Sequence, residues 1–269
     1  MSTIGEKLWH RAPVVEVVFG VQFQPLEGFS NAHLGMYWGM VNTDYPHPED
    51  AVPIGLLDPA ELVTGPTYEN PSIMLGQTVK GRLQMRSQDK QFMLQLQNGW
   101  LTANWLRAGS HSLYPGSDVM LSRFKAALSK LLVFLEQQKL GSFIGTMWDV
   151  TYIDHFPRET VWSAYSDLPG VVPGLLGPAC TNEAQFESVH ATWGLKLLNI
   201  PGRLNVTLTS ARQNVDAVEI LQFRSIARGP IADSSENAIV DQLSLGKKAL
   251  VDTFKAVTSP NARSYWEGS

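Results

Sequence analysis

The sequence predicts an α+β protein of two similar halves, residues 1–140 and 141–269, each an antiparallel sheet with one long helix packed on it. Three observations predict it. Stretches of period-two apolar alternation recur along the chain, which marks strands with one buried face. Each half closes on a long stretch with helical spacing of apolar residues. The order strand, variable segment, three strands, long helix occurs twice, and the triplet Gly81-Arg82-Leu83 returns as Gly202-Arg203-Leu204 in the matching place.

The first strand is expected over 13–23, where Val15, Val17, Phe19, Val21 and Phe23 share a face and Glu16 interrupts the other. Ser30 or Asn31 caps a helix to about Val41, with Leu34, Trp38 and Val41 inward. Residues 44–80 read as irregular, broken by six prolines between Pro46 and Pro71. Strands return over 83–86, 91–97 and 100–106, and Asn98-Gly99 predicts a type I′ hairpin turn. A helix follows over 117–139, with Leu121, Phe124, Leu128, Leu131, Leu132 and Leu135 as its stripe. In the second half strands are expected over 145–156, 188–198, 203–210 and 217–227, and a helix over 235–257. Two such units side by side would form one continuous sheet, the general form of TATA-binding-protein-like and helix-grip duplications.

Composition narrows the functional classes. A chain of 269 residues buries enough surface to need no staple. Cys180 is the only cysteine, so no internal disulfide and no cysteine-rich zinc site can form. The N-terminus does not read as a signal peptide and no apolar run reaches membrane-spanning length, so a cytoplasmic location away from membranes is expected. Net charge is -4 with the charges scattered, which argues against nucleic acid as a partner. Charged residues make up 17%, below the typical value of about 25%, which fits either a partner-contacting surface or a larger core.

No phosphate loop, dinucleotide fingerprint, nucleophile elbow or zinc-protease helix is present, so neither a catalytic residue, a cofactor nor a metal is expected. The candidate binding residues are polar or aromatic groups on strands and loops. Tyr152 and Asp154 share one face of the strand opening the second half, and His155 faces the other way, so Asp154 and His155 form a dyad only if that strand is bulged. Asn104, Trp105, Arg107 and Tyr114 cluster before the first long helix. Trp105 can stack on a ligand and Arg107 can hold an anion, or both can fix the entry to the helix. The uncharged run Leu168–Pro178, with Val172 and Leu175 at its centre, has prolines and glycines that forbid a regular helix. It reads as a plug on the chain's own core or as a docking loop for a partner.

These residues also resemble a known family. Pro13-Val14-Val15-Glu16-Val17-Val18, Gln95, Asn104-Trp105, Tyr114-Pro115, Tyr152-Ile153-Asp154-His155 and Arg228-Gly229, with the closing Phe254, Thr258 and Trp266, are similar in order to the motifs of a sporadically distributed family of bacterial proteins of about this length. Leu106 intervenes before Arg107, and Asp154 stands where the family carries asparagine. That family has no established activity, so the resemblance adds no catalytic residue. Its sporadic distribution implies an accessory, immunity or defence role. The function expected is thus a non-enzymatic interaction protein that binds a protein partner or pairs with itself. The alternative is an enzyme or sensor holding a small molecule in a pocket between sheet and helices.

Overall fold

The computed structural model describes residues 11–56, 81–109, 112–174, 187–213 and 218–268. Strands β1 (Val14–Phe23), β2 (His47–Ala51), β3 (Arg82–Arg86), β4 (Phe92–Gln97), β5 (Trp100–Leu106), β6 (Gly145–Pro157), β7 (His190–Lys196), β8 (Arg203–Arg212) and β9 (Glu219–Pro230) form one antiparallel sheet. Its order is β2-β3-β4-β5-β1-β6-β9-β8-β7. Among the described residues there are five α-helices: α1 (Asn31–Val41), α2 (Ser117–Gln137), α3 (Leu168–Val171), α4 (Glu236–Val257) and α5 (Pro260–Glu267).

The two central strands, β1 and β6, pair with each other, Phe19 opposite Val150. Outward from β1 the order is β5, β4, β3; outward from β6 it is β9, β8, β7. In both directions the first strand of its half is central and the last strand lies beside it.

One face of this sheet carries the core. Val17, Phe19, Val21 and Phe23 of β1, Leu101, Ala103 and Trp105 of β5, Trp148, Val150 and Phe156 of β6, and Leu221, Phe223 and Ala227 of β9 are all buried. Helix α2 covers β5 and β1, α4 covers β6 and β9, and α1 packs on β3 and α2. Tyr37 of α1 donates its hydroxyl to the Ala127 carbonyl of α2 at 2.9 Å. Helices α2 and α4 meet each other, with Ser129 hydrogen-bonded to Glu236 at 2.5 Å. Trp148 sits so close beneath α4 that a Cβ on Gly246 would lie 2.4 Å from its ring. No helix of the described residues is long and apolar enough to cross a membrane.

Four local expectations are corrected. The register slips between Val14 and Glu16, so β1 bulges at Val15; Val14 is then buried while Val15 is only half-buried. Positive φ at the β4–β5 turn falls on Gly99 alone, not on Asn98 as a type I′ turn requires. The Asn98 side chain instead clamps Leu26, accepting from its N–H at 2.8 Å and donating to its carbonyl at 2.9 Å. Within 44–80, His47–Ala51 forms a strand despite Pro48, because β2 is an edge strand and an edge tolerates a missing donor. Leu168–Val171 makes one helical turn, since Pro169 sits in its first turn, where an N–H has no intrahelical partner to lose. Leu168, Val171 and Val172 are buried in the core, which fits the plug and not an exposed docking loop; Leu175 lies outside the described residues.

Candidate functional site

Alternation along each strand puts a second set of side chains on the face the helices leave open. Glu16, Val18 and Gly20 of β1 lie there, with Trp100, Thr102 and Asn104 of β5 and Gln95 and Gln97 of β4. Asp149, Thr151 and Ile153 of β6 and Arg224 and Arg228 of β9 continue the face across the sheet centre. Apart from Gly20, these residues together with Arg82 and Ile54 line a cavity of about 230 Å³.

The N-terminal side of the cavity is a chain of hydrogen bonds running across four strands. Arg82 Nη1 donates to Gln95 Oε1 at 2.9 Å, and Gln95 Nε2 donates to Asn104 Oδ1 at 3.0 Å. Asn104 Nδ2 donates to Glu16 Oε1 at 2.8 Å. Gln84 also donates to Gln95 Oε1, and Thr102 to Asn104 Oδ1, each at 3.0 Å. A guanidinium thus stands at one end of an oriented relay of amides and a carboxylate at the other. Gln97 pins residue 54 over this face: it accepts from the Ile54 N–H at 3.0 Å and donates to the Ile54 carbonyl at 2.7 Å.

The other side centres on Asp149, which is 6% exposed. It fits only because its neighbour on β1 is glycine. A Cβ on Gly20 would lie 2.5 Å from Asp149 Oδ1 and 3.1 Å from Trp100 Nε1. Burial pushes the Asp149 carboxyl up to about 6, while the charge of Arg228, the Trp100 N–H and the charge of Arg224 pull it down.

The ten binding candidates from the sequence fall into separate places. Glu16 and Asn104 meet in the cavity. Trp105, Tyr114 and Tyr152 form an edge-to-face aromatic cluster on the helix face. Trp105 is fully buried with its ring 5.2 Å from Tyr114, whose hydroxyl is 3.0 Å from that of Tyr152. This cluster anchors the approach to α2, the positional reading of these residues. Asp154 lies near it, 5% exposed. Burial raises its carboxyl to about 8 against the opposing charge of Arg107, which donates to the Ala12 carbonyl at 2.5 Å. His155 is on the open face beside Gln222, 3.3 Å away, and burial and Arg107 lower its pKa. The bulge that offsets this region is on β1, so Asp154 and His155 stay on opposite faces and form no dyad. Val172 belongs to the core.

Sequence reasoning missed Arg82, Gln97, Trp100, Arg224 and Arg228 as cavity residues. The signal that could have found them is the polar half of each alternating strand, read across strands. Among the described residues no three His, Cys, Asp or Glu side chains gather to hold a metal. No protein-family model matches the chain, and neither a curated protein nor a solved structure does.

Proposed function

We propose that the protein is a non-enzymatic binding protein and that it takes a small polar molecule in the cavity on the open face of its sheet. The observation that carries this is the oriented relay from Arg82 through Gln95 and Asn104 to Glu16 along one cavity wall, facing the buried Asp149. A concave site with a few convergent polar groups is what small-molecule binding needs. The cavity draws on both halves, Arg82 to Asn104 from one and Asp149 to Arg228 from the other. We infer that the halves are copies of one unit, in the manner of TATA-binding-protein-like or helix-grip duplications, with the binding site at the seam between them. The shared strand order outward from β1 and β6 supports that.

The test is capture. The full chain is incubated with a metabolite extract and desalted, and bound small molecules are read by mass spectrometry. Val18 is half-buried on the central strand and lines the cavity. The wild type should retain a small molecule that a folded Val18→Trp variant does not. Equal retention by both, or none by either, removes the reading.

A protein partner or a second copy is the other reading, and one observation favours it. Among the described residues β7 ends the sheet, and from His190 to Leu195 it carries neither proline nor a charged lysine, arginine or carboxylate; Lys196 guards only its last position. Light scattering on the purified chain decides it: a monomer at all concentrations leaves no self-pairing along β7.

A further inference from the structure

Resting on the cavity reading, we propose that the ligand is a compact organic anion whose carboxylate or phosphate is held by Arg82 and whose hydroxyl or amino group donates to Glu16.

The charges around the cavity are not matched one to one. Asp149 lies directly across from Arg228 on the neighbouring strand and also feels Arg224. Its negative charge is therefore engaged on the β9 side. Glu16 is hydrogen-bonded to a neutral amide, Asn104. Among the described residues Arg82, four strands away from β6, forms no ion pair with a carboxylate. Its cross-strand neighbours are Gln97 and Ala51. Among the described residues its side chain hydrogen-bonds only the neutral Gln95, whose oxygen it shares with Gln84. Its Nε is buried and makes no hydrogen bond. A guanidinium offers five N–H donors in a planar fork, so most of the fork has no protein acceptor among the described residues and stays open to a ligand. A buried donor left unmade is costly, and a carboxylate or phosphate is the group whose geometry satisfies the fork two bonds at a time.

Size and polarity restrict the rest of the ligand. At about 30 Å³ of liquid volume per water, a cavity of about 230 Å³ has room for roughly eight water-sized groups. That suits a hydroxy acid, an amino acid or a small phosphate ester and excludes a dinucleotide. Arg82 and Glu16 stand three strand spacings apart, roughly 14 Å at the sheet level. A hydrogen bond of about 3 Å at each end leaves the ligand the remainder of that span, so an extended L-glutamate or glycerol 3-phosphate fits better than D-glycerate. Glu16 accepts, so the far end of the ligand must donate. Arg224, exposed on the opposite rim with no hydrogen bond or ion pair of its own among the described residues, adds positive potential at the mouth.

The experiment uses the full chain with defined probes: inorganic phosphate, D-glycerate, L-glutamate and glycerol 3-phosphate, with glycerol as the neutral control. Thermal shift and titration calorimetry read binding in the wild type, Arg82→Gln, Glu16→Gln and Arg86→Gln. Arg86 shares the strand and face of Arg82 but pairs with Glu49 outside the cavity, so it controls for general charge. The expected result is binding of at least one organic anion and none of glycerol. Affinity should fall at least tenfold in Arg82→Gln and stay unchanged in Arg86→Gln. The Glu16→Gln loss should be specific to probes carrying a hydroxyl or amino group, with phosphate unaffected. Should Arg82→Gln fail to fold, Arg224→Gln at the exposed rim takes its place with a smaller expected loss. Equal loss in Arg86→Gln, or glycerol binding as well as glycerol 3-phosphate, overturns the proposal. Extract capture separates it from the cavity reading. A neutral or cationic molecule retained by the wild type and lost by Val18→Trp sinks the anion and keeps the site. A captured anion lost in Arg82→Gln supports both; no capture and no probe binding sinks both.

Discussion

The two faces of the sheet are made by the same strands and are opposites in chemistry. On β6, Trp148, Val150 and Phe156 go to the helices, and Asp149, Thr151 and Ile153 go to the cavity. Asp154 and Asp149 show the difference best. Both are buried carboxyls on one strand, five residues apart and on opposite faces. On the helix face Asp154 meets aromatic packing and one partial counter-charge, and its carboxyl rises to about 8. On the open face Asp149 has two arginines and an indole N–H, and its carboxyl rises only to about 6. The lesson is that the helix face tolerates charge poorly and holds the fold, whereas the open face is built to accommodate charge.

That contrast can be broken at four points. The largest effect is expected from Trp148→Ala, which empties a fully buried site between β6 and α4. It should cost about 3–5 kcal/mol in urea unfolding; a loss below about 1 kcal/mol would mean the helix face does not carry the fold.

The second is a pH test. Both carboxyls have folded pKa values raised above the ordinary aspartate value of about 3.9. Each therefore favours the folded state most when protonated, below about pH 4, and loses that contribution as pH rises through its folded value. For Asp154 the loss runs from about pH 4 to 8, at up to about 1.4 kcal/mol per pH unit. For Asp149 it ends near pH 6. Asp154→Asn should be clearly more stable than wild type at pH 8.5 and nearly equal at pH 4.5, whereas Asp149→Asn should flatten the profile only below about pH 6. Identical profiles for the two variants would erase the distinction between the faces.

Third, Gly20→Ala drives a methyl into Asp149 and Trp100. It should cost about 1–3 kcal/mol as overpacking does, with tryptophan fluorescence reporting the displaced indole. The smallest effect is expected from Gln95→Ala, which cuts the relay in its middle. Its side chain is only partly buried, so the stability loss should be about 1 kcal/mol or less while ligand binding falls strongly. A large stability loss there would make the relay part of the scaffold.

Much of the helix face was legible in the sequence. Alternation in 13–23 and 145–156 gave the central strands, and the spacing of Phe124, Leu128, Leu131 and Leu135 gave the inner side of α2. The opposite facing of Asp154 and His155 followed from parity alone. The open face was less legible for a physical reason. Alternation tells which residues share a face, but only register tells which of them touch. Gln95 meets Asn104 because β4 and β5 pair with Gln95 opposite Thr102, and Asn104 reaches Glu16 because β1 pairs beside β5. Nothing in either strand alone announces that chain. The bulge at Val15 was hidden likewise, since it exists only relative to β6.

The central pairing of β1 with β6 has a consequence for synthesis. Strand β1 leaves the ribosome before either of its neighbours in the sheet, and its sequence from Val14 to Phe23 contains a single charged residue, Glu16. One of its edges is filled when β5 arrives, but the other must wait for β6, roughly 120 residues after β1 ends, or about 6–25 s at 5–20 residues per second. Until then the most apolar strand of the finished sheet is a naked edge, the feature that pairs nascent chains with each other. The open face therefore comes into being only after β6 has been made, and heat or crowding during that interval should lower the yield of folded protein more than the same stress applied afterwards.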